Sequence, residues 1–449
     1  MKGGPVLTNA EMRALEASYA DTHEDGLWTL MKRAGEGAAK TVAVRAAGRE
    51  VLVLCGPGNN GGDGYVIAAT LRDMGVPVRV AALASPASEL CRRAAAGWTG
   101  QVAGVDCEPV DVFVDCGFGT GLSRPVESDW IGSIARLAGA AAWKFALDVP
   151  SGVYADTGEV QEGVPCFDET LVPAALKPAH LLYPAARSMG RLTLIDIGLP
   201  QADVHLHENT LPDAATSDPA GHKFDRGHVA VIFGDMAGAG WLASRAAQRG
   251  GAGFVSAVGG AGHVPPSSIV ARAAEWDGFE KVDAIVIGPG LGTDRSAKSR
   301  TEGILKMPDM PKVLDGDMFT LFADEPQRLA GDMHVLTPHE GEFMRMFGEM
   351  DGSKVERVRL AARQAGAVVV LKGADTVIAH PDGRAAINAH ASPRLATAGS
   401  GDVLAGVIGA ELASGRDAFA AACAGVWRHG DAGLRGRDGL IAEDLLDLL

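Results

Sequence analysis

Short apolar runs alternate with alanine-rich helical stretches along most of the 449-residue chain. This alternation is typical of βαβ units, and it predicts α/β folds with mostly parallel sheets. A first series has strands predicted at 50–55, 76–83, 110–115, 143–148 and 191–197. A second has strands predicted at 227–233, 253–258, 282–287, 312–314, 334–336 and 367–371. Because one hydrophobic core rarely serves so long a chain, we expect two α/β domains.

The segment from Leu199 to Gly221 is polar, contains proline and has no sustained hydrophobic period. Such a segment predicts a junction between domains. We place the boundary so that the domains comprise residues 1–212 and 213–449. Near the start of the first domain, Thr8 and Glu11 have the spacing of a capping box, which predicts a helix beginning there.

The net charge of −15 disfavours nucleic acid and anionic membrane surfaces as partners, since both are negatively charged. The six cysteines are scattered, without the paired spacing of a zinc site. The chain shows no apolar signal segment and no run long enough to span a membrane. We therefore expect a cytoplasmic protein with reduced thiols, no nucleic-acid partner and no membrane partner.

A glycine-rich segment, GPGNNGGDG at Gly56–Gly64, follows the apolar run VLVLC directly and precedes a helical pattern. In this position its backbone N–H groups can bind phosphate. Gly56, Gly58 and Gly61 also fit the GxGxxG pattern of dinucleotide oxidoreductases. The second predicted strand, however, ends without the acidic residue that such enzymes use to bind ribose. A hydride-transfer enzyme and a purely structural turn remain alternatives.

Oxygen-bearing side chains follow the other predicted strands of the first domain. Asp115 lies in VDCGFGTGL, and Asp148 and Ser151 lie in LDVPSG. Carboxyl ends of parallel strands converge on one crevice, so these residues are expected to meet Asn59 and Asn60. Their oxygens suit a hard cation or a sugar-like ligand better than zinc. Ordinary turns favour the same residue types.

Together, GPGNNGGDG, VDCGFGTGL, LDVPSG and LKPAH resemble the epimerase domain of the bifunctional NAD(P)H-hydrate repair enzymes. The resemblance covers the first half of the chain and implies a Rossmann-like, doubly wound fold. It implies substrate binding by Asn59, Asn60, Gly61, Gly62, Asp63, Gly119, Thr120, Gly121, Leu122, Ser123, Arg124 and Pro125. It also implies proton transfer by Asp148 and a potassium ion on Asn60, Asp115 and Ser151. LVPAALKPAH departs from the family pattern, so the role of Lys177 stays open.

The second domain contains a late motif of small residues, ATAGSGDVLAG, at Ala396–Gly406. An apolar helical run follows it, so free N–H groups at a helix N-terminus are expected to stabilise a transferring phosphoryl group. A carboxylate at Asp402 can accept the proton of an attacking hydroxyl. A glycine turn with Asp402 as its cap is the structural alternative.

The upstream motifs IGPGLG, VLDGD, TPHEGE and VVLKGADTVIA precede this one in order. The ordered set resembles the ribokinase-like superfamily, and most closely its NAD(P)H-hydrate dehydratase branch, from His222 to the C-terminus. No Walker loop is present. GDMAGAGW and VLDGDMF differ from the usual family segments.

The resemblance assigns roles in the second domain residue by residue. Asp402 is the expected catalytic acid-base, and Lys223 and Arg226 carry charges that can contact phosphates. The expected substrate contacts are Ala239, Gly292 and His339. The expected nucleotide contacts are Lys372, Gly373, Ala374, Asp375, Thr376 and Gly401.

These resemblances imply epimerisation of the R and S hydrates NADHX and NADPHX, followed by dehydration of the S form. A potassium ion, a magnesium ion and ADP as phosphate donor, with ATP as the other candidate, are implied, and a homo-oligomer is expected. One alternative is a small-molecule kinase whose stable product is a phosphate ester. Another is that the first domain is a non-catalytic ligand-binding module.

Overall fold

The computed structural model describes residues 4–200, 202–213, 222–261, 266, 268–307 and 310–449. The chain forms two compact units, Gly4–Val204 and His205–Leu449. The boundary therefore precedes the predicted one between residues 212 and 213. The reason is a short strand at Leu206–Glu208, which pairs with Ala385–Asn388 of the second unit. Residues 214–221 of the predicted junction lie outside the described residues.

The first unit is built around a seven-stranded, fully parallel sheet. Its strands are β1 Val51–Cys55, β2 Val78–Ala82, β3 Val102–Ala103, β4 Val112–Cys116, β5 Trp143–Leu147, β6 Glu169–Pro173 and β7 Arg191–Ile195. Its helices are α1 Asn9–Ala20, α2 Gly26–Ala46, α3 Asn59–Asp73, α4 Glu89–Ala96, α5 Ser128–Ala140, α6 Pro178–Leu181 and α7 Ala186–Met189. The predicted capping box of Thr8 and Glu11 does begin α1.

The strand order β3-β2-β1-β4-β5-β6-β7 reverses direction between β1 and β4. Both strands are buried along their whole length, as expected for central strands of a parallel sheet that is covered on both faces. Helices α2 and α3 cover one face of the sheet and α5 the other, each over its own apolar cluster. A strand-order reversal of this kind opens a crevice at the carboxyl ends of the strands.

The second unit is built around a ten-stranded sheet. Its strands are β8 Leu206–Glu208, β9 His228–Ile232, β10 Phe254–Val258, β11 Val270–Arg272, β12 Ala284–Ile287, β13 Lys312–Leu314, β14 His334–Leu336, β15 Val368–Leu371, β16 Thr376–Ala379 and β17 Ala385–Asn388. Its helices are α8 Ala237–Arg249, α9 Arg295–Leu305, α10 Met318–Leu321, α11 Glu340–Phe347, α12 Lys354–Ala365, α13 Ser400–Ala413, α14 Ala418–Arg435 and α15 Ala442–Leu448.

The order of this sheet is β11-β10-β9-β12-β13-β14-β15-β16-β17-β8. Strand β16 is antiparallel to both of its neighbours, and the other pairings are parallel. The mixed α/β architecture with mostly parallel strands confirms the predicted fold class. No helix among the described residues is both long and apolar enough to cross a membrane.

Helix α13 is the central helix of the second unit and is buried along most of its length. It begins after Gly399, whose φ of +84° suits a residue without a Cβ atom. A Cβ atom built on Gly406 would lie 2.2 Å from Ala243 O, so only glycine allows α8 to pack this closely. This packing fixes the position of the first turn of α13, which carries Asp402.

Candidate active sites

A cavity of about 520 Å³ lies in the first unit, at the crevice where the strand order reverses. Its volume is within the range of small-molecule sites. Helices α1 and α2 supply apolar side chains to its wall, and the start of α3 and the segment after β4 supply polar groups. Asp148 and Lys177 also line the cavity.

Asp148 and Lys177 form a buried ion pair in the wall of this cavity. Lys177 Nζ lies 2.8 Å from Asp148 Oδ1, and these side chains are only 2% and 13% exposed. The backbone N–H of Thr120 donates to Asp148 Oδ2 at 2.9 Å. Burial by itself raises the pKa of Asp148, but the charge and hydrogen bond of Lys177 outweigh it, so the pKa lies below its ordinary value. Asp148 is therefore ionised at neutral pH.

His180 fixes the backbone on both sides of this ion pair. The N–H of Lys177 donates to His180 Nδ1 at 2.8 Å, so Nε2 carries the ring proton. Nε2 then donates to the carbonyl oxygen of Asp148 at 2.7 Å. Burial lowers the pKa of His180 to about 4, which keeps the ring neutral. Asp148 itself has a φ of +66°, an unfavourable conformation for a non-glycine residue that these contacts hold in place.

Two further carboxyl groups, Glu16 and Asp63, line the same cavity. Burial raises the pKa of both, and the nearby charge of Asp148 raises it further, against the lowering effect of Lys177. The cavity thus combines an ionised acid with acids whose protonated form is favoured. Such a separation of pKa values is what acid and base roles require.

Three thiols lie beneath the glycine-rich segment. Cys91 Sγ donates to Gly56 O at 3.7 Å, and a Cβ atom built on Gly64 would lie 2.9 Å from Cys55 Sγ and 2.7 Å from Cys116 Cβ. Burial raises the pKa of Cys55 and Cys116 well above the ordinary value and that of Cys91 to about 11. These thiols are protonated packing groups.

In the second unit, Asp402 lies in the first turn of α13. Burial raises its pKa to about 7, and the charge of Asp315 adds to this effect while that of Lys372 opposes it. A carboxyl group with this pKa exchanges its proton near neutral pH, as a general base for a hydroxyl must.

Lys372 connects the acids around Asp402. Its Nζ donates to Asp315 Oδ1 at 2.9 Å and lies 3.8 Å from Glu342 Oε2. Thr337 Oγ1 donates to the same Asp315 oxygen at 2.8 Å. Burial lowers the pKa of Lys372, but the charges of Asp315 and Glu342 outweigh this and raise it, so the side chain is a cation. Asp315, Thr337 and Lys372 follow β13, β14 and β15, which brings them to one edge of the sheet.

Two protein-family models match this chain. One, described as NAD(P)H-hydrate dehydratase, matches residues 229–444, and the other, described as YjeF-related protein N-terminus, matches residues 28–179. Curated relatives match over nearly the whole chain. A protein of Thermofilum pendens named bifunctional NAD(P)H-hydrate repair enzyme is 32% identical over 99% of this chain and 95% of its own. The corresponding protein of Moorella thermoacetica is 34% identical, over 99% of this chain and 96% of its own.

This chain belongs to the bifunctional NAD(P)H-hydrate repair enzyme family. Among solved structures, the ADP/ATP-dependent NAD(P)H-hydrate dehydratase of Bacillus subtilis, co-crystallised with ATP and Mg²⁺, is 31% identical. That match covers 53% of this chain and 92% of the other, with a TM-score of 0.46.

The structure of this repair-enzyme family member places the asparagine pair differently from the predicted loop. Asn59–Asp63 form the first turn of α3, which begins directly after Gly58. Asn59, Asn60 and Asp63 line the cavity, whereas Gly61 and Gly62 are not among its lining residues. A Cβ atom built on Gly61 would lie 1.8 Å from Gly56 O. Backbone packing therefore accounts for Gly61 without any phosphate, and a Cβ atom on Gly62 would lie 2.7 Å from the Met31 side chain.

The predicted phosphate segment 119–125 lines the cavity only with its first residues. Gly119, Thr120, Gly121 and Leu122 lie in the wall, while 123–125 are not among the described lining residues. A Cβ atom built on Gly119 would lie 2.7 Å from Asp148 Oδ2 and 3.1 Å from Asn60 Oδ1. The absence of a side chain at Gly119 thus keeps Asp148 and Asn60 accessible.

The predicted potassium ligands Asp115 and Ser151 are hydrogen-bonded to each other. Ser151 Oγ donates to Asp115 Oδ1 at 2.8 Å, and the Ser151 N–H donates to Oδ2 at 2.9 Å. Burial raises the pKa of Asp115, against the opposing effect of these hydrogen bonds. Asn60 Nδ2 is buried without a hydrogen-bond partner. The described residues contain no group of three or more His, Cys, Asp or Glu side chains that could hold a metal ion.

Of the predicted nucleotide contacts, Lys372 and Gly401 lie together. A Cβ atom built on Gly401 would lie 3.3 Å from Lys372 Nζ. Gly373 and Ala374 are exposed in the turn between β15 and β16. Asp375 is paired with Lys354, with Nζ 2.5 Å from Oδ1, so its carboxylate stabilises this turn.

Thr376 closes the same turn, since its Oγ1 donates to Gly373 O at 3.0 Å.

The predicted substrate contacts occupy other segments. Ala239 lies in α8, and a Cβ atom built on Gly290 would lie 3.0 Å from the Ala239 Cβ. Gly292 has a φ of +87°, and its N–H donates to Asp317 Oδ2 at 2.8 Å. His339 caps α11, with a side chain that is 59% exposed.

The charges of Lys223 and Arg226 suggested a phosphate contact, with plain surface solvation as the alternative, but the structure does not bring them to Asp402. They lie in a 3₁₀ turn just before β9, whereas Asp315 and Lys372 follow parallel strands of the same sheet. Residues before and after parallel strands lie at opposite edges. Lys223 Nζ instead lies 5.2 Å from the ring centre of Phe224.

Sequence reasoning missed several charged residues that the structure brings to the two sites. Glu16 is one turn beyond the predicted capping box, and its helical spacing from Met12 was the available signal. Asp315 and Glu342 lie inside the motifs VLDGD and TPHEGE, which carry the family resemblance. A strand end followed by an acidic residue was the signal for Asp315.

Proposed function

We propose that the first unit interconverts the R and S forms of NADHX and NADPHX and that the second dehydrates the S form with a nucleotide phosphate donor. The proposal rests on family membership together with one observation. Each unit has an acid with a shifted pKa on which a lysine acts electrostatically, Asp148 with Lys177 in the first and Asp402 with Lys372 in the second.

In the second unit, the hydroxyl oxygen at C6 of the hydrated ring attacks the terminal phosphorus of the donor. Its proton passes to Asp402, and the phosphorus–oxygen bond to the leaving nucleotide breaks. The N–H groups at the start of α13 stabilise the charge on the transferred phosphoryl group. The C6–O bond then breaks as the C5 proton passes to the departing phosphate, which forms the C5–C6 double bond of NADH or NADPH and releases inorganic phosphate.

In the first unit, the Asp148 carboxylate accepts the C6 hydroxyl proton while the bond between C6 and the ring nitrogen breaks. The Lys177 ammonium group, 2.8 Å from Asp148, supplies a proton to that nitrogen. Rotation of the resulting aldehyde and closure on its opposite face invert C6. Reclosure returns each proton to its donor.

ADP is the proposed donor, with ATP as the other candidate. A magnesium ion would be held mainly by the donor phosphates, since magnesium usually binds one or two carboxylates plus phosphate oxygens. Asp315 and Glu342 are the carboxylates near Lys372 that fit this role. It would supply positive charge to the phosphates.

Potassium fits the oxygen set of Asn60, Asp115 and Ser151, because a fully buried carboxylate beside amide and hydroxyl oxygens suits a hard cation. It would supply the charge that keeps Asp115 ionised. Replacing sodium by potassium should raise the epimerase rate, and equal rates in both salts would count against this site. The cytoplasmic location and the homo-oligomeric state stay predictions.

The test follows the recovery of reduced-nicotinamide absorbance from an R and S NADHX mixture, with magnesium and either ADP or ATP. Complete recovery is expected for the unaltered chain. Asp402→Ala should abolish dehydration and spare epimerisation, and Asp148→Ala should do the reverse. Loss of both activities in either folded variant would refute this division of labour. A stable phosphate ester as product would favour the small-molecule kinase instead.

A further inference from the structure

One face of α1 forms part of the cavity wall in the first unit. Asn9, Met12, Arg13 and Glu16 all line the cavity. Their spacing of three, four and seven residues places them on one side of a helix. Helix α1 precedes the part of the first unit that matches a family model, so no role is assigned to it by that match.

The start of α1 is held in a fixed position beside Lys177. The Leu7 N–H donates to Leu176 O at 2.8 Å, and Val6 forms a parallel bridge with Leu176. The Asn9 N–H donates to Asp156 Oδ1 at 2.8 Å. The helix therefore presents its cavity face in a defined register relative to the ion pair of Asp148 and Lys177.

The cavity offers a dinucleotide no free positive charge without one more cation. Glu16 and Asp63 favour their neutral forms, and the ammonium group of Lys177 is already paired with the Asp148 carboxylate. A pyrophosphate carries negative charge of its own. Arg13 is the other cationic residue among the described residues that line this cavity.

The segment after β4 offers few free donors for phosphate oxygens. The N–H groups of Gly117, Phe118, Thr120 and Leu122 already donate to protein acceptors. Arg13, in contrast, is exposed and has no hydrogen bond or ion pair with any described residue. Its Nη2 lies 3.9 Å from the position of a Cβ atom built on Gly121. The charge of Arg13 lowers the pKa of Glu16 on the same helix face, but no hydrogen bond or ion pair with a described residue fixes the guanidinium group, which stands at the glycine segment and lines the cavity.

We propose that Arg13 binds a phosphate group of the hydrated dinucleotide at Gly121 and thereby determines the preference for phosphorylated substrates. This inference rests on the proposed epimerase function of the first unit. Guanidinium groups bind phosphate oxygens through two parallel charge-assisted hydrogen bonds, which gives Arg13 a contact that a neutral side chain lacks.

The test compares Arg13→Gln with Lys40→Gln in the full chain. Lys40 is exposed on α2 and outside the cavity, so its replacement removes the same charge without touching the site. Epimerisation of R-NADHX, R-NADPHX and the hydrated nicotinamide riboside, which has no phosphate, is followed by chromatographic separation of the two epimers.

Arg13→Gln should raise KM for R-NADHX roughly ten-fold with little change in kcat, as expected for a lost charge-assisted hydrogen bond. KM for the riboside should not change, and Arg13→Lys should restore part of the loss. An equal rise in KM for R-NADHX and R-NADPHX would show that Arg13 contacts the pyrophosphate. A larger rise for R-NADPHX would show that it contacts the 2′-phosphate.

Identical KM values for Arg13→Gln and Lys40→Gln would overturn the inference, as would an equal loss with the riboside. If the unaltered chain does not epimerise any substrate, the proposed function fails instead. The two failures are therefore distinguishable.

Discussion

Asp402 is expected to control how the dehydration rate depends on pH. Its pKa is raised to about 7, first by burial and then by the charge of Asp315. A base works only when it is ionised, so kcat for dehydration should fall about ten-fold for each pH unit below 7. Replacing Asp315 by Asn removes a like charge and also frees Lys372 to act on Asp402. Both effects lower the pKa of Asp402.

The size of the pKa change expected in Asp315→Asn follows from the shifted pKa of Asp402. A pKa raised from 3.8 to about 7 corresponds to a penalty of about 4 kcal/mol on the ionised form. Removing one nearby like charge should return roughly one pH unit of that change. The acid limb of the profile for Asp315→Asn should therefore lie near pH 6 rather than near pH 7.

The assay measures initial rates from S-NADHX with saturating donor between pH 5.5 and 8.5. Glu443→Gln is the control, because Glu443 is exposed and its charge is not among the causes of the shifted pKa of Asp402. Its profile should match that of the unaltered chain. A flat profile between pH 5.5 and 7, or an unmoved limb in Asp315→Asn, would refute the base role of Asp402.

Three further outcomes are expected. The raised pKa of Asp402 stabilises the fold below pH 3.8, and this contribution is lost as pH rises through 7. Asp402→Asn should therefore be about 4 kcal/mol more stable than the unaltered chain at pH 8 but not at pH 4. Thermal unfolding at both pH values measures this, and equal changes would contradict it. Gly119→Ala should abolish epimerisation and spare dehydration, because its Cβ atom would lie 2.7 Å from Asp148 Oδ2. Gly132→Ala, which has open space around the new atom, is the control for that activity assay. Lys177→Met should destabilise the first unit by about 3–5 kcal/mol, since it leaves the buried Asp148 carboxylate without its cationic partner, and adding Asp148→Asn should recover much of the loss. Urea unfolding, monitored by hydrogen exchange of the β5 amides, measures this change. No recovery of the free energy of unfolding in the double variant would contradict the prediction.

Strands with continuous apolar runs were predictable because consecutive apolar residues indicate a buried strand. VLVLC became β1 and His334–Leu336 became β14 as predicted. Strands β16 and β17 were missed, since four-residue runs such as TVIA and AAIN do not distinguish strand from other buried structure. The strand β8 acquires its pairing only from Ala385–Ile387, far along the chain. No local pattern shows such a partner.

The sequence predicted individual residues of the candidate sites, but it did not predict which side chains pair with each other. Asp148 and Asp402 were identified from their motifs, whereas the ion pair of Asp148 with Lys177 depends on the turn that His180 closes. Arg13 meets its site through tertiary packing, which has no short-range signature, and the strand-end position of Asp315 does not show its pairing with Lys372. The asparagine pair was placed in a loop because glycine is a poor helix former, yet packing of α3 overrides that propensity.

The three protonated thiols beneath the glycine-rich segment determine where oxidants and alkylating reagents act on this protein. Such reagents attack the thiolate, which burial suppresses at Cys55, Cys91 and Cys116. Cys166 is exposed and is the thiol expected to react first. A fluorescent or spin label can therefore be attached at Cys166 while the thiols beneath the first cavity stay unmodified.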